Sequence, residues 1–195
     1  MGSFEIVHDV GEAIVTLLQA RLNSDVIKHK DEIALCNIED REKFKIAVSL
    51  YDVQECREMN QRSMLNKGVS MQVKPPLFLD LHYVISVNSD ADIKYRAMQE
   101  QVILGRILQI MYDEGTNIQQ YVKRKNISSV RMNLELEYIS LEEKLRVFNV
   151  SGKSYKPSLY YKVCPVELIS QQGKEIPRIR SLDQSVDKSE DKSKE

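Results

Sequence analysis

The sequence predicts an α+β fold, a mixed, mainly antiparallel sheet of about five strands packed against an N-terminal helix and one long central helix. Three observations carry that prediction. In the stretch from Lys74 to Thr116, Leu77, Leu79, Leu81, Tyr83, Ile85 and Val87 alternate with Phe78, Asp80, His82, Val84 and Ser86. This is the period of a strand with one continuous apolar face. Further along the same stretch, Ala97, Gln101, Leu104, Leu108 and Met111 share one helical line, with Ile103, Ile107 and Ile110 beside it. Such a stripe is wide enough to lie on the strand's apolar face. Strict alternation also recurs at Phe44–Leu50 and at Val130–Tyr138, outside that stretch.

Taken in order, Phe4 to Leu22 reads as the first helix, with Val7, Val10, Ile14, Leu17 or Leu18, and Leu22 on one side and Ser3 as its cap. Ile33–Ile38 is a short apolar strand, and the run Glu39-Asp40-Arg41-Glu42-Lys43 reads as an exposed turn. A second strand begins at Phe44 and runs on towards Glu55. Arg57–Val73 is polar and long for a compact domain, so a flexible excursion between two paired strands is expected. After the central strand and helix, Val130–Tyr138 forms a strand with one buried and one wet face, Glu135 and Glu137 lying on the solvated side. Ser140 and Glu143 make a capping box for a short helix bearing Leu141, Leu145 and Phe148. The last strand follows Tyr155-Lys156-Pro157-Ser158, and Pro165 marks an edge or a bulge near its end.

The 195 residues suit one domain over 1–180 and a disordered polar tail over 181–195. That tail, SLDQSVDKSEDKSKE, has too few apolar residues to fold alone. A net charge of −1 leaves no global electrostatic case for nucleic acid or an anionic membrane. No apolar run approaches the ~20 residues that span a bilayer, so the chain reads as cytosolic.

Candidates for chemistry are few. Cys36, Cys56 and Cys164 form no C-x-x-C pair and read as buried reduced thiols rather than disulfides or zinc ligands. His8, His29 and His82 lack the spacing of metal ligands. Asp80 and His82 share a strand face and could pair, yet no nucleophile motif stands near them, so a hydrolase is only a third reading. Lys123, Arg124 and Lys125 read as a solvated helix end or loop, with an anion contact as the lesser alternative. The reading from residues alone is therefore a binding or structural protein without a catalytic centre.

Three blocks resemble the N-terminal domain of the cap, or tail-terminator, proteins of contractile injection systems of the Photorhabdus virulence cassette and antifeeding prophage type. They are PPLFLDLHYVIS, where Pro75, Pro76, Leu79, Leu81 and Tyr83 stand out; QVILGRILQIMYDEG, with Leu104 and Gly105; and the block from Leu141 to Val166, with Tyr155, Pro157, Ser158 and Tyr161. With the N-terminal helix the resemblance spans roughly residues 4–170. Asp80, His82, Tyr112 and Gly115 depart from the residues commoner in the family. The resemblance implies a structural role for those signature positions. It also implies a ring, expected to be a homohexamer, that ends the inner tube and anchors the terminal sheath layer. The implied partners are further copies of the chain, the inner tube protein and the sheath protein. No cofactor, metal, nucleic acid or direct membrane insertion is implied, and the expected location is cytoplasmic, within a phage tail-like particle. The Arg57–Val73 excursion and Lys123, Arg124 and Lys125 are the expected tube or sheath contacts. The alternative function is a small soluble adaptor or assembly chaperone that binds a partner strand by sheet-edge addition. Within a helix Gly105 costs roughly 1 kcal/mol relative to alanine, so close packing on the sheet or on a neighbour is expected there.

Overall fold

The computed structural model describes residues 4–22, 26–61, 63–67, 71–123, 130–150, 152 and 154–175. Helix α1 (Ile6–Arg21) buries Ile6, Val10, Ala13, Ile14, Leu17 and Leu18. Both leucines are covered because α1 packs against the sheet on one side and a 3-10 turn, Gly115–Tyr121, on another. Strands β1 (Ile33–Leu35), β2 (Ile46–Glu55), β3 (Leu65–Asn66), β4 (Met71–Val73) and β5 (Leu77–Val87) follow. Helix α2 (Ile93–Glu114) comes next, then β6 (Asn133–Leu136), helix α3 (Leu141–Val150), β7 (Ser158–Leu168) and β8 (Gly173–Glu175).

The main sheet has five strands in the order β1-β2-β5-β7-β6. Only β1 and β2 run parallel, so the sheet is mixed and mainly antiparallel, as the sequence predicts. One face carries Ile46, Val48, Leu81, Tyr83, Ile85, Val163 and Leu134, and packs against α1 and the C-terminal half of α2. The Tyr83 hydroxyl donates to the Val7 carbonyl at 3.2 Å, pinning α1 to β5. On the other face, Val84 and Tyr160 pack under Phe148 of α3. The molecule is thus three layers, with α1 and α2 on one side of the sheet and α3 on the other.

Several local expectations change. The Arg57–Val73 excursion carries β3 and β4, and with β8 they form a second, three-stranded antiparallel sheet. In the run read as an exposed turn, Arg41 is only 2% exposed. Its guanidinium lies 4.3 Å over the Phe148 ring and donates to the Ser154 carbonyl at 2.8 Å, so a planar cation fills the space a hydrophobe would otherwise take. Strand β7 is central, between β5 and β6. Pro165 nevertheless falls at a register shift opposite Asp80 and beyond the last β6 partner, Cys164, so no ladder bond is lost to its missing N–H. Leu77, the first residue of β5, is exposed, whereas Leu79 and Leu81 on the same line are buried. Among the described residues, no helix is long and apolar enough to cross a membrane.

Candidate assembly surfaces

Most signature residues are scaffold. Pro75, Leu79, Leu81, Tyr83 and Tyr161 are buried, while Pro76 and Leu104 are half-buried, Leu104 against the main core. Burial pushes the Tyr161 phenol up to about 12. The Ser158 hydroxyl lies 3.1 Å from that of Ser86 and donates to the Lys156 carbonyl at 3.0 Å, fixing the start of β7 beside the end of β5. Tyr155 stacks edge-on against Phe148, and Pro157 is exposed. Gly105 does not pack on the sheet, the first of the two contacts expected for it. It faces away from the sheet, and a Cβ added there would meet nothing within 4 Å. Gly115 is tight against backbone, since a Cβ there would sit 2.8 Å from the Leu134 carbonyl oxygen.

Sequence reasoning missed Lys156, within the SYKPS block. Its ammonium donates to Glu100 of α2 at 2.7 Å and to the Asn88 side-chain oxygen at 3.0 Å. Asn88 in turn donates to the carbonyls of Arg41 and Phe44. One lysine therefore ties α2, the end of β5 and the segment before β2 together. The signal available was a lone basic residue between Tyr155 and Pro157, which says nothing about partners distant in sequence.

The first half of α2 is held by that tie rather than by packing. Its buried residues begin at Ile103, although the sequence stripe places Ala97 and Gln101 on the core side. Both are exposed. Its outward side carries Ile93 at 86%, Tyr95, Met98, Val102 at 65% and, near the other end, Tyr112 at 89% exposure. A groove of about 530 Å³ continues this surface between Leu108, Met111 and Tyr112 on the helix and Leu134, Leu136 and Tyr161 on the sheet. Across the molecule, α3 exposes Leu141 and Leu145, and Tyr138 just before it is 94% exposed. Of the three apolar residues expected on the inner side of α3, only Phe148 is buried.

The strand-face pair expected between Asp80 and His82 gives way to a different contact. His82 Nδ1 lies 2.8 Å from Glu137 Oε2, and the Tyr51 hydroxyl donates to the same oxygen at 3.0 Å. Glu137 lies just past β6 and is half-buried rather than solvated. Burial and the Glu137 carboxylate together raise the Tyr51 pKa, which keeps the phenol a donor. The one described member of the basic triplet, Lys123, pairs with Glu12 of α1 at 3.1 Å. Arg124 and Lys125 lie outside the described residues, as does the tail over 181–195.

The family model of the Pvc16 N-terminal domain matches residues 9–181. The chain belongs to that family. Among solved structures, this Pvc16 N-terminal domain is similar to the PVC sheath/tube terminator of an extracellular contractile injection system in its extended state. The TM-score is 0.61 at 17% identity, over 95% of this chain and 65% of that one. It is also similar to the tube-terminating cap of the anti-feeding prophage, with a TM-score of 0.53 at 18% identity, over 87% of this chain and 57% of that one. The chain therefore spans less than two thirds of the length of each. No curated protein matches.

A shallow groove of about 900 Å³ between the end of β2 and β7 brings Cys56, Asp80, Lys162 and Cys164 together. Burial pushes the Cys164 thiol up to about 11. Burial, and then the Asp80 carboxylate, raise Cys56, while burial raises Cys36. Thiols shifted upward are poor nucleophiles near neutral pH. Among the described residues, no group of three or more His, Cys, Asp or Glu side chains is placed to hold a metal ion.

Proposed function

We propose that this chain is a structural cap, or tail terminator, of a contractile injection system, ending the inner tube and anchoring the terminal sheath layer without catalysing a reaction. The carrying observation is likeness along the whole fold, since 95% of the chain superposes on part of a protein described as a sheath/tube terminator. In this reading the subunits close a homohexameric ring, and the protein acts in the cytoplasm as part of a phage tail-like particle. Its effect is thermodynamic: one face complements the tube end, so binding there removes the site at which further tube subunits would add.

The sheet offers a place for sheath. Strand β1 pairs only with Ile46–Val48, so β2 from Leu50 to Glu55 presents an unpaired edge among the described residues. An open edge of this kind accepts a further strand through main-chain hydrogen bonds. The same edge supports the second reading, an adaptor or chaperone that binds one partner strand. The basic triplet Lys123, Arg124 and Lys125 and the tail over 181–195 are proposed as additional tube or sheath contacts.

Electron microscopy of particles from a strain lacking this gene tests the proposal. Overlong or uncapped tubes are expected, and tubes of normal length with normally seated sheath would reject the cap role. An adaptor would instead leave tube length unchanged and stay small by native mass when mixed with tubes.

A further inference from the structure

We infer that the outward stripe of α2 grips the next copy of this chain, and that its counterpart is the Tyr138–Leu145 face of α3. The inference rests on the ring reading and names the subunit contact within it. Tyr95, Met98, Val102, Gly105, Gln109 and Tyr112 are spaced alternately by three and four residues, so they form one line along the helix. They span about 26 Å at the α-helical rise. Four of the six are large apolar side chains left in water. A protein surface rarely gathers such residues on one line without a partner to cover them.

A second copy fits that line better than the alternatives. The two exposed apolar surfaces lie on opposite sides of the sheet, α2 in one outer layer and α3 in the other. Unlike patches on opposite sides are what a head-to-tail contact requires, and repetition of such a contact closes a ring. Pairing α2 with α2 would instead close after two copies and leave α3 bare. The charges also match. Lys94, Arg96 and Arg106 stand along α2, whereas Glu135, Glu142 and Glu143 stand around the α3 face. Arg146 pairs with Glu142 there and Asp113 is exposed beside Tyr112 on α2, so counting exposed charges the α2 side stays net positive and the α3 face net negative. Gly105 completes the shape, because its missing side chain opens a notch between Val102 and Gln109 that the protruding Tyr138 ring can enter.

Purified full-length chain is tested on tubes of its own system with two variants, Val102→Glu and Leu141→Glu. Both positions are exposed, so each variant should keep the wild-type circular dichroism spectrum. Each is expected to lose ring formation at tube ends and to self-associate at least tenfold more weakly in sedimentation. An equal mixture should recover a dimer that neither variant forms alone, since one intact α2 then meets one intact α3. A photo-crosslinker at position 102 should be captured by residues 138–145 of a second copy. Rings formed normally by both variants, or capture of position 102 by tube, sheath or another α2, would overturn this contact while leaving the cap role standing. Failure of the wild-type chain to form any ring at tube ends would overturn both.

Discussion

At the scale of single residues, two glycines with the same sequence character carry opposite expectations. Gly105 sits within α2, with nothing within 4 Å of where a Cβ would be. Gly105→Ala should therefore stabilise the isolated chain by about 0.5–1 kcal/mol through helix propensity alone. Gly115→Ala drives a methyl against the Leu134 backbone oxygen and should cost about 1–3 kcal/mol. Urea midpoints of the two variants check this, and a destabilised Gly105→Ala monomer would show that a contact there has been missed. Glu137 is the other informative position, because one carboxylate oxygen accepts from both His82 and Tyr51. Glu137→Ala strands two donors in a partly dry site and should cost about 1–3 kcal/mol, whereas Glu137→Gln keeps an acceptor and should cost less. Equal losses for the two variants would mean that side-chain bulk, not hydrogen bonding, is what Glu137 supplies.

At the scale of elements, α3 shows how a local sequence signal becomes a pH dependence. The Ser140 amide donates to Glu143 Oε2 at 2.8 Å, and the Glu143 amide donates to Ser140 Oγ at 3.3 Å, completing the predicted box. The Ser140 hydroxyl and amide hold the Glu143 carboxyl below the usual carboxylate range. Because the folded value is the lower one, the stabilisation is complete above the unfolded value and is lost as pH falls through the folded one. NMR titration should place the Glu143 midpoint below that of an unstructured glutamate, and Ser140→Ala should return it upward. An unmoved midpoint would mean that the box does not persist in solution. Signals of this kind were legible because every partner lies within one turn of helix. The same holds for β2, β5 and β7, where alternate side chains mark the face that meets α1 and α2. What periodicity cannot report is what covers a face. It placed Ala97 and Gln101 on the inner side of α2, yet both are exposed and burial begins only at Ile103. Nor did a charge run reveal Arg41, whose partner Phe148 is distant in sequence. The small sheet of β3, β4 and β8 escaped because strands of two or three residues are too short to show a period.

At the scale of the whole molecule, stability should be graded from the middle of the sheet outwards. Strands β5 and β7 are paired on both sides and covered on both faces, so their amides are released only by global unfolding. Residues 93–102 of α2 bury no side chain, and β8 is exposed throughout. The first half of α2 depends on a few polar ties, chiefly Lys156 with Glu100, and β8 on its short ladder with β4, so both can open while the core stays closed. Hydrogen exchange on the free chain should therefore be fastest in β8 and the first half of α2 and slowest in β5 and β7. Lys156→Ala should accelerate exchange in 93–102 and around Asn88 while β5 and β7 stay slow, because it removes these ties without touching the apolar core. Exchange on capped tubes should then slow in α2, in α3 and along Leu50–Glu55, the three surfaces assigned to neighbours and sheath. Slowing confined to β5 and β7 would mean that assembly rigidifies the core instead of covering these surfaces, and the proposed division of the molecule into scaffold and contact faces would fail.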